Sequence, residues 1–173
     1  MLSLSDNEFA VVNFLVRSFT ERLTVRNIAK KLNFSPAGVY NILKKLERQN
    51  IAHGERLGTG LFYRINLESK TAKYLALAVL VGFFDYNINL IQYISKAKTA
   101  LFDKKSVLFI VDNIAIPSDF TVENVNVVVK SEDEFIESIR KRDQLVLGLL
   151  KNSTVVFGEE FIVEVIKRFV ERF

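Results

Sequence analysis

The sequence has no cysteine and no tryptophan, and its 173 residues include one histidine, one methionine and two prolines. Without cysteine there is no disulfide scaffold, no thiolate metal site and no thiol nucleophile, and a single histidine, His53, excludes histidine-cluster zinc sites. No serine or carboxylate pattern around His53 supplies triad partners, so a structural role is expected for it. No metal or cofactor is expected either. A membrane-spanning run is also missing. Tyr74 to Phe84 is uncharged and apolar, but a crossing needs about 20 such residues, and extending the run brings in Asp85, Asn87, Asn89 and Gln92. The first residues lack the basic-then-apolar pattern of a secretory signal. The expectation is a cytoplasmic protein with no membrane partner.

What is present is a folded composition, 49% hydrophobic and 25% charged, with 24 Lys and Arg against 20 Asp and Glu. The resulting net charge of +4 is unevenly placed. Residues 1–70 hold 11 basic and 6 acidic side chains, a net +5, whereas residues 71–173 hold 13 and 14, a net −1. Between Arg22 and Arg48 there are 7 Lys and Arg and a single acid, Glu47. Such a concentration suits a polyanion-facing surface, and it also occurs on solvated helix faces.

Local signals divide the first seventy residues into three helices and a hairpin. Ser5 to Glu8 is a capping box, followed by Phe9, Val12, Val16 and Phe19 at helical spacing, so a helix is predicted from Asp6 to Ser18. Thr24 caps a second helix with Val25, Ile28, Ala29 and Leu32 inward, stopped by Asn33. Ser35 caps a third with Pro36 at its first position and Val39, Ile42, Leu43 and Leu46 inward. Only Asn33-Phe34-Ser35 separates the second and third helices, which forces a tight helix-turn-helix. Two β-prone runs then flank Gly58-Thr59-Gly60 and read as a hairpin over residues 51–67.

This order, with Thr24 to Ile51 as its most diagnostic stretch, resembles the winged helix-turn-helix DNA-binding domains of archaeal and bacterial regulators. The resemblance covers residues 5–68 and implies a recognition helix over residues 36–49 in the major groove of double-stranded DNA. The outer face of that helix carries Ala37, Tyr40, Asn41, Lys44, Lys45 and Arg48, with Ser35 at its start. Asn41 is suited to an adenine edge, Ala37 to a thymine methyl, and Lys44, Lys45 and Arg48 to phosphates. Arg56 and Arg64 would place the wing on the backbone or in the minor groove. Winged helices also serve as protein-interaction modules, in which case this face is a solvated surface with Tyr40 at a subunit contact.

Beyond residue 70, helical spacing at Ile88, Ile91 and Ile94 predicts one long helix from Thr71 to about Phe102, linking two domains across residues 71–104. Residues 105–173 alternate strands and helices: strands over 106–112, 122–130 and 154–157, and helices from 131, from 143 and from 159 to the end. The fold class is therefore α+β, a winged helix plus a small α/β domain. The second part lacks the glycine-rich loops of dinucleotide or P-loop folds.

The second part resembles the minimal nucleotidyltransferase domain, often fused to a winged helix. In that family the first strand ends Leu-Phe-Gly-Ser and the second carries Asp-x-Asp to hold two Mg²⁺ ions. Matched to residues 106–111 and 124–129, the sequence places Ile110 and Val111 at the glycine and serine, and Asn124 and Asn126 at the aspartates. Neutral amides cannot supply the anionic oxygens that two-metal chemistry needs, and Ile110 blocks the close backbone approach of phosphate. The implied reading is a catalytically inactive domain. Two uses fit it, a pocket for a small-molecule effector or a homodimerisation platform. The alternative is a divergent enzyme using Asp112, Asp119 and Glu123.

Overall fold

The computed structural model describes residues 4–81, 97–103, 105–112 and 125–171. Two compact units emerge, one containing the residues up to Val79 together with those from Ile166 onward, the other containing Leu80–Val165. Each is an assembly of helices on a small sheet, and the chain is α+β.

In the first unit, helix α1 (Asp6–Arg17) starts at the expected capping box, with Ser5 accepting from the Glu8 N–H and Glu8 accepting from the Ser5 N–H at 2.9 Å. Its buried stripe is Glu8, Val11, Val12, Leu15 and Val16, while Phe9 is exposed, contrary to the sequence reading. Strand β1 (Leu23–Thr24), which the sequence did not signal, leads into α2 (Val25–Leu32). Asn33 follows in the left-handed region at φ 57°, and the Phe34 N–H returns to the Ala29 carbonyl at 2.9 Å, which turns the chain into α3 (Pro36–Arg48). Strands β2 (Ala52–Leu57) and β3 (Gly60–Ile65) form the expected hairpin, and β1 adds to β3 to give the sheet order β1-β3-β2. Ile28, Val39, Leu43, Leu46, Ile51, Tyr63 and Ile65 make the core between the helices and the sheet. Helix α4 (Lys70–Leu80) follows, and Arg17 donates to the Val79 carbonyl at 2.9 Å.

The second unit corrects the linking helix at its far end. Thr99–Phe102 is strand β4, paired antiparallel both with β5 (Ser106–Val111) and with β7 (Thr154–Phe157). A helical periodicity carried through this stretch misreads it because its conformation comes from partners distant in sequence; the Thr99 hydroxyl, for example, donates to the Phe157 carbonyl at 2.8 Å. The middle of the expected helix, residues 82–96, lies outside the described residues. Strand β6 (Asn126–Ser131) runs parallel to β5, giving the order β6-β5-β4-β7. Helices α5 (Glu132–Arg140), with a Ser131–Glu134 capping box, and α6 (Gln144–Asn152) follow the expected boundaries closely. Strand β5 is buried on both faces, Val107, Phe109 and Val111 on one and Leu108 and Ile110 on the other. Helix α7 (Glu159–Val170) buries Ile162, Val163, Val165, Ile166 and Val170. Among the described residues no helix is long and apolar enough to cross a membrane.

Candidate nucleic-acid interface

Helix α3 is built to present one face. Ser35 caps it by accepting from the Gly38 N–H at 3.1 Å, Pro36 occupies the first turn, and no acid lies there to offset the positive helix end. With Val39, Leu43 and Leu46 fully buried, Ala37, Asn41, Lys44 and Arg48 fall at i, i+4, i+7 and i+11 on the opposite side. Ala37, Asn41 and Arg48 are exposed and Lys44 is half-exposed. Tyr40, 46% exposed, stands on one flank of the stripe, with the Lys44 ammonium 5.8 Å from its ring centre. These residues are brought together as the sequence implied. Ser35 is exposed beside them, its hydroxyl oxygen engaged in the cap.

Lys45 stands on the other flank and reaches back to α1, where its Nζ meets the Glu8 carboxylate at 2.6 Å. That hydrogen bond, with the Ser5 N–H, holds the Glu8 carboxyl below its ordinary value. Lys44 is also paired, to Glu47 at 2.7 Å, which raises the lysine above its ordinary value. The Arg48 Nε donates to the Lys44 carbonyl at 3.4 Å. Both lysines read as phosphate contacts thus carry a carboxylate partner within the protein.

The wing separates the two arginines assigned to it. Cross-strand partners share a sheet face, so Arg56, opposite Leu61, lies on the face of Tyr63 and Ile65, and Arg64, opposite His53, lies on the other. Arg56 is exposed near the hairpin tip. Arg64 is half-buried, and its guanidinium donates to the Val170 carbonyl at 3.1 Å. It is therefore corrected from a wing contact to an internal anchor for the end of α7. Period-2 alternation places the two arginines on opposite faces of the sheet. His53 is exposed. Sequence reasoning counted Arg22, Arg26, Lys30 and Lys31 in the basic run without placing them, and all four are exposed on or before α2. It passed over Glu47, whose only signal was to be the single acid in that run.

In the second unit, among the described residues, the positions matched to a nucleotidyltransferase site do not converge. Ile110 and Val111 are buried at the end of β5, where they pair with Lys130 and Ser131, while Asn126 is exposed at the start of β6 opposite Ser106. Four residues of strand, about 13 Å, separate the two places. Asn124, Asp119 and Glu123 lie outside the described residues. Asp112 is bound by Lys98 at 2.5 Å, and the same ammonium meets Glu132 at 2.7 Å, so these two acids are charge-compensated and raise the lysine above its ordinary value.

No family model and no curated protein matches the chain. Among solved structures it is similar to ZitR of Lactococcus lactis, described as a zinc-responsive MarR family member, at 24% identity and a TM-score of 0.36 over 43% of this chain and 50% of that one. It is similar to the adhesin competence repressor AdcR of Streptococcus pyogenes at 24% identity, TM-score 0.38, over 44% and 55%. A mutant of MepR from a multidrug-resistant S. aureus clinical isolate aligns at 19% identity, TM-score 0.41, over 54% and 67%. The chain thus spans about half the length of the first two.

Proposed function

We propose that this chain is a DNA-binding transcriptional regulator that reads duplex DNA with α3. The observation that carries the proposal is the stripe of exposed Ala37, Asn41 and Arg48 with half-exposed Lys44 on the second helix of a helix-turn-helix, in a unit that also exposes Arg22, Arg26, Lys30 and Lys31. An amide and a methyl can address base edges, and the cations can address phosphates. Arg56 at the hairpin tip adds a backbone or minor-groove contact. A single helix of this length reads few bases, so the active species is a homodimer contacting half-sites about 34 Å apart.

The second unit serves this head as a catalytically inactive nucleotidyltransferase-like body used for dimerisation or for sensing a small effector. The positions matched to that family's glycine, serine and two aspartates are Ile110, Val111, Asn124 and Asn126. Strand β5 carries Ser106, Val107, Leu108, Phe109, Ile110 and Val111, none of them able to supply an anionic oxygen to a metal. Inactivity therefore rests on neutral amides at Asn124 and Asn126 and on Ile110 at the glycine position.

The test is duplex binding as a function of salt. Loss of each phosphate contact lowers the log K against log salt slope by about 0.9, so Lys44→Ala with Arg48→Ala is expected to flatten it by nearly 2. An unchanged slope would sink the reading in favour of a protein-interaction module, and NTP-dependent labelling of a partner in Mg²⁺ would overturn the inactive body.

A further inference from the structure

Glu47 joins the reading helix to the wing. One carboxylate oxygen accepts from the Lys44 ammonium at 2.7 Å and the other from the Gly54 N–H at 3.1 Å. Gly54 lies in β2, at the edge of the sheet β1-β3-β2, and its N–H faces away from the partner strand. An edge amide of this kind ordinarily goes to water or to another chain; here a side chain from α3 claims it. The approach is close: a Cβ at Gly54 would stand 2.5 Å from the Glu47 carboxylate and 3.0 Å from the Tyr63 ring, so any side chain there would displace the carboxylate from its present place. The carboxylate, Lys44 and the edge of the wing are thus fitted to one another, and Lys44 retains hydrogens for an external acceptor.

A carboxylate on a phosphate-facing surface carries an electrostatic cost, because it repels the ligand its neighbours attract. A merely solvated acid there would weaken all duplexes alike. We infer that Glu47 is instead a positioning residue: it fixes the wing against α3 and aims the Lys44 ammonium, so that the contacts of helix and wing fall on one duplex in a single register. This inference rests on the reading of α3 as a DNA-contacting helix, and it concerns specificity rather than raw affinity.

The two roles separate by sign. In the full chain, Glu47→Ala and Glu47→Gln are compared with wild type on two probes, the duplex enriched from a random pool by the wild-type protein and a scrambled duplex of the same composition. Both variants are expected to bind the scrambled duplex more tightly, having lost a negative charge, while the preference for the enriched duplex falls about tenfold in Glu47→Ala, the loss of one charge-assisted anchor. Glu47→Gln, which keeps an acceptor for Gly54, retains part of that preference. A rise of equal factor on both probes would overturn the inference. Hydrogen exchange at the Gly54 amide supplies a readout that needs no DNA. Exchange is expected to quicken at least about tenfold in Glu47→Ala while the β3 amides keep their protection. Unchanged Gly54 exchange in the folded variant overturns the inference by itself, whereas a wild-type protein that prefers no duplex overturns the reading of α3 and leaves the wing anchor to be judged on exchange.

Discussion

Lys45 shows what one residue's neighbours do to its meaning. On α3 it reads as a phosphate contact, yet its ammonium is spent on Glu8, a buried carboxylate of α1 that is 37 positions away in sequence. No local spacing announces such a pair, whereas Ala37, Asn41, Lys44 and Arg48 were legible because helical periodicity alone places them on one face. The pair has a consequence in acid. A carboxyl held below its ordinary value stabilises the fold above the unfolded value, and that stabilisation is lost as pH falls through the folded one. Glu8→Gln should therefore be less stable than wild type at neutral pH, with the gap narrowing below pH about 4, the ordinary carboxylate range, in urea titrations across pH. Gly158 is another position set by contact. It stands at φ 71°, and a Cβ there would lie 2.0 Å from the Lys98 carbonyl, so Gly158→Ala should destabilise the second unit by about 3 kcal/mol or more in thermal unfolding.

Among elements, those opened by a side-chain cap were readable and those made by partners were not. Ser5, Thr24, Ser35 and Ser131 each accept a backbone N–H at a helix start, a chemistry confined to four consecutive residues and visible in sequence. Strand β4 offers no such mark. Thr99-Ala100-Leu101-Phe102 becomes a strand because β5 and β7 pair with it on both sides, and strand β1 exists because Leu23 and Thr24 meet Tyr63 and Phe62. The cap of α3 carries its own expectation. Ser35→Ala should cost about 1 kcal/mol in chemical denaturation and Ser35→Asp should restore most of it, since either side chain can accept from the Gly38 N–H.

At the scale of the whole molecule, the charge division near residue 70 was legible but the membership of the units was not. The end of α7 belongs with the winged helix. Arg64 holds the Val170 carbonyl, Phe169 meets Phe19 edge-on with ring centres 6.0 Å apart, and Lys167 meets Glu68 at 3.1 Å. An apolar periodicity reports that a helix has a buried face without reporting which part of the chain buries it. Phe169→Ala should lower the stability of the first unit by about 1 to 3 kcal/mol, a partly buried aromatic giving less than a fully buried one, seen as faster amide exchange in α1 and β3.

That arrangement bears on how the protein is made. A polypeptide leaves the ribosome from its first residue onward, at about 5–20 residues per second, and units contiguous in sequence can fold as they emerge. This winged helix is not contiguous, because it includes the residues from Ile166 onward. The second unit, Leu80–Val165, has emerged before the residues from Ile166 onward reach the first. The nascent first unit therefore lacks the Arg64 and Phe169 contacts until the residues from Ile166 onward have emerged.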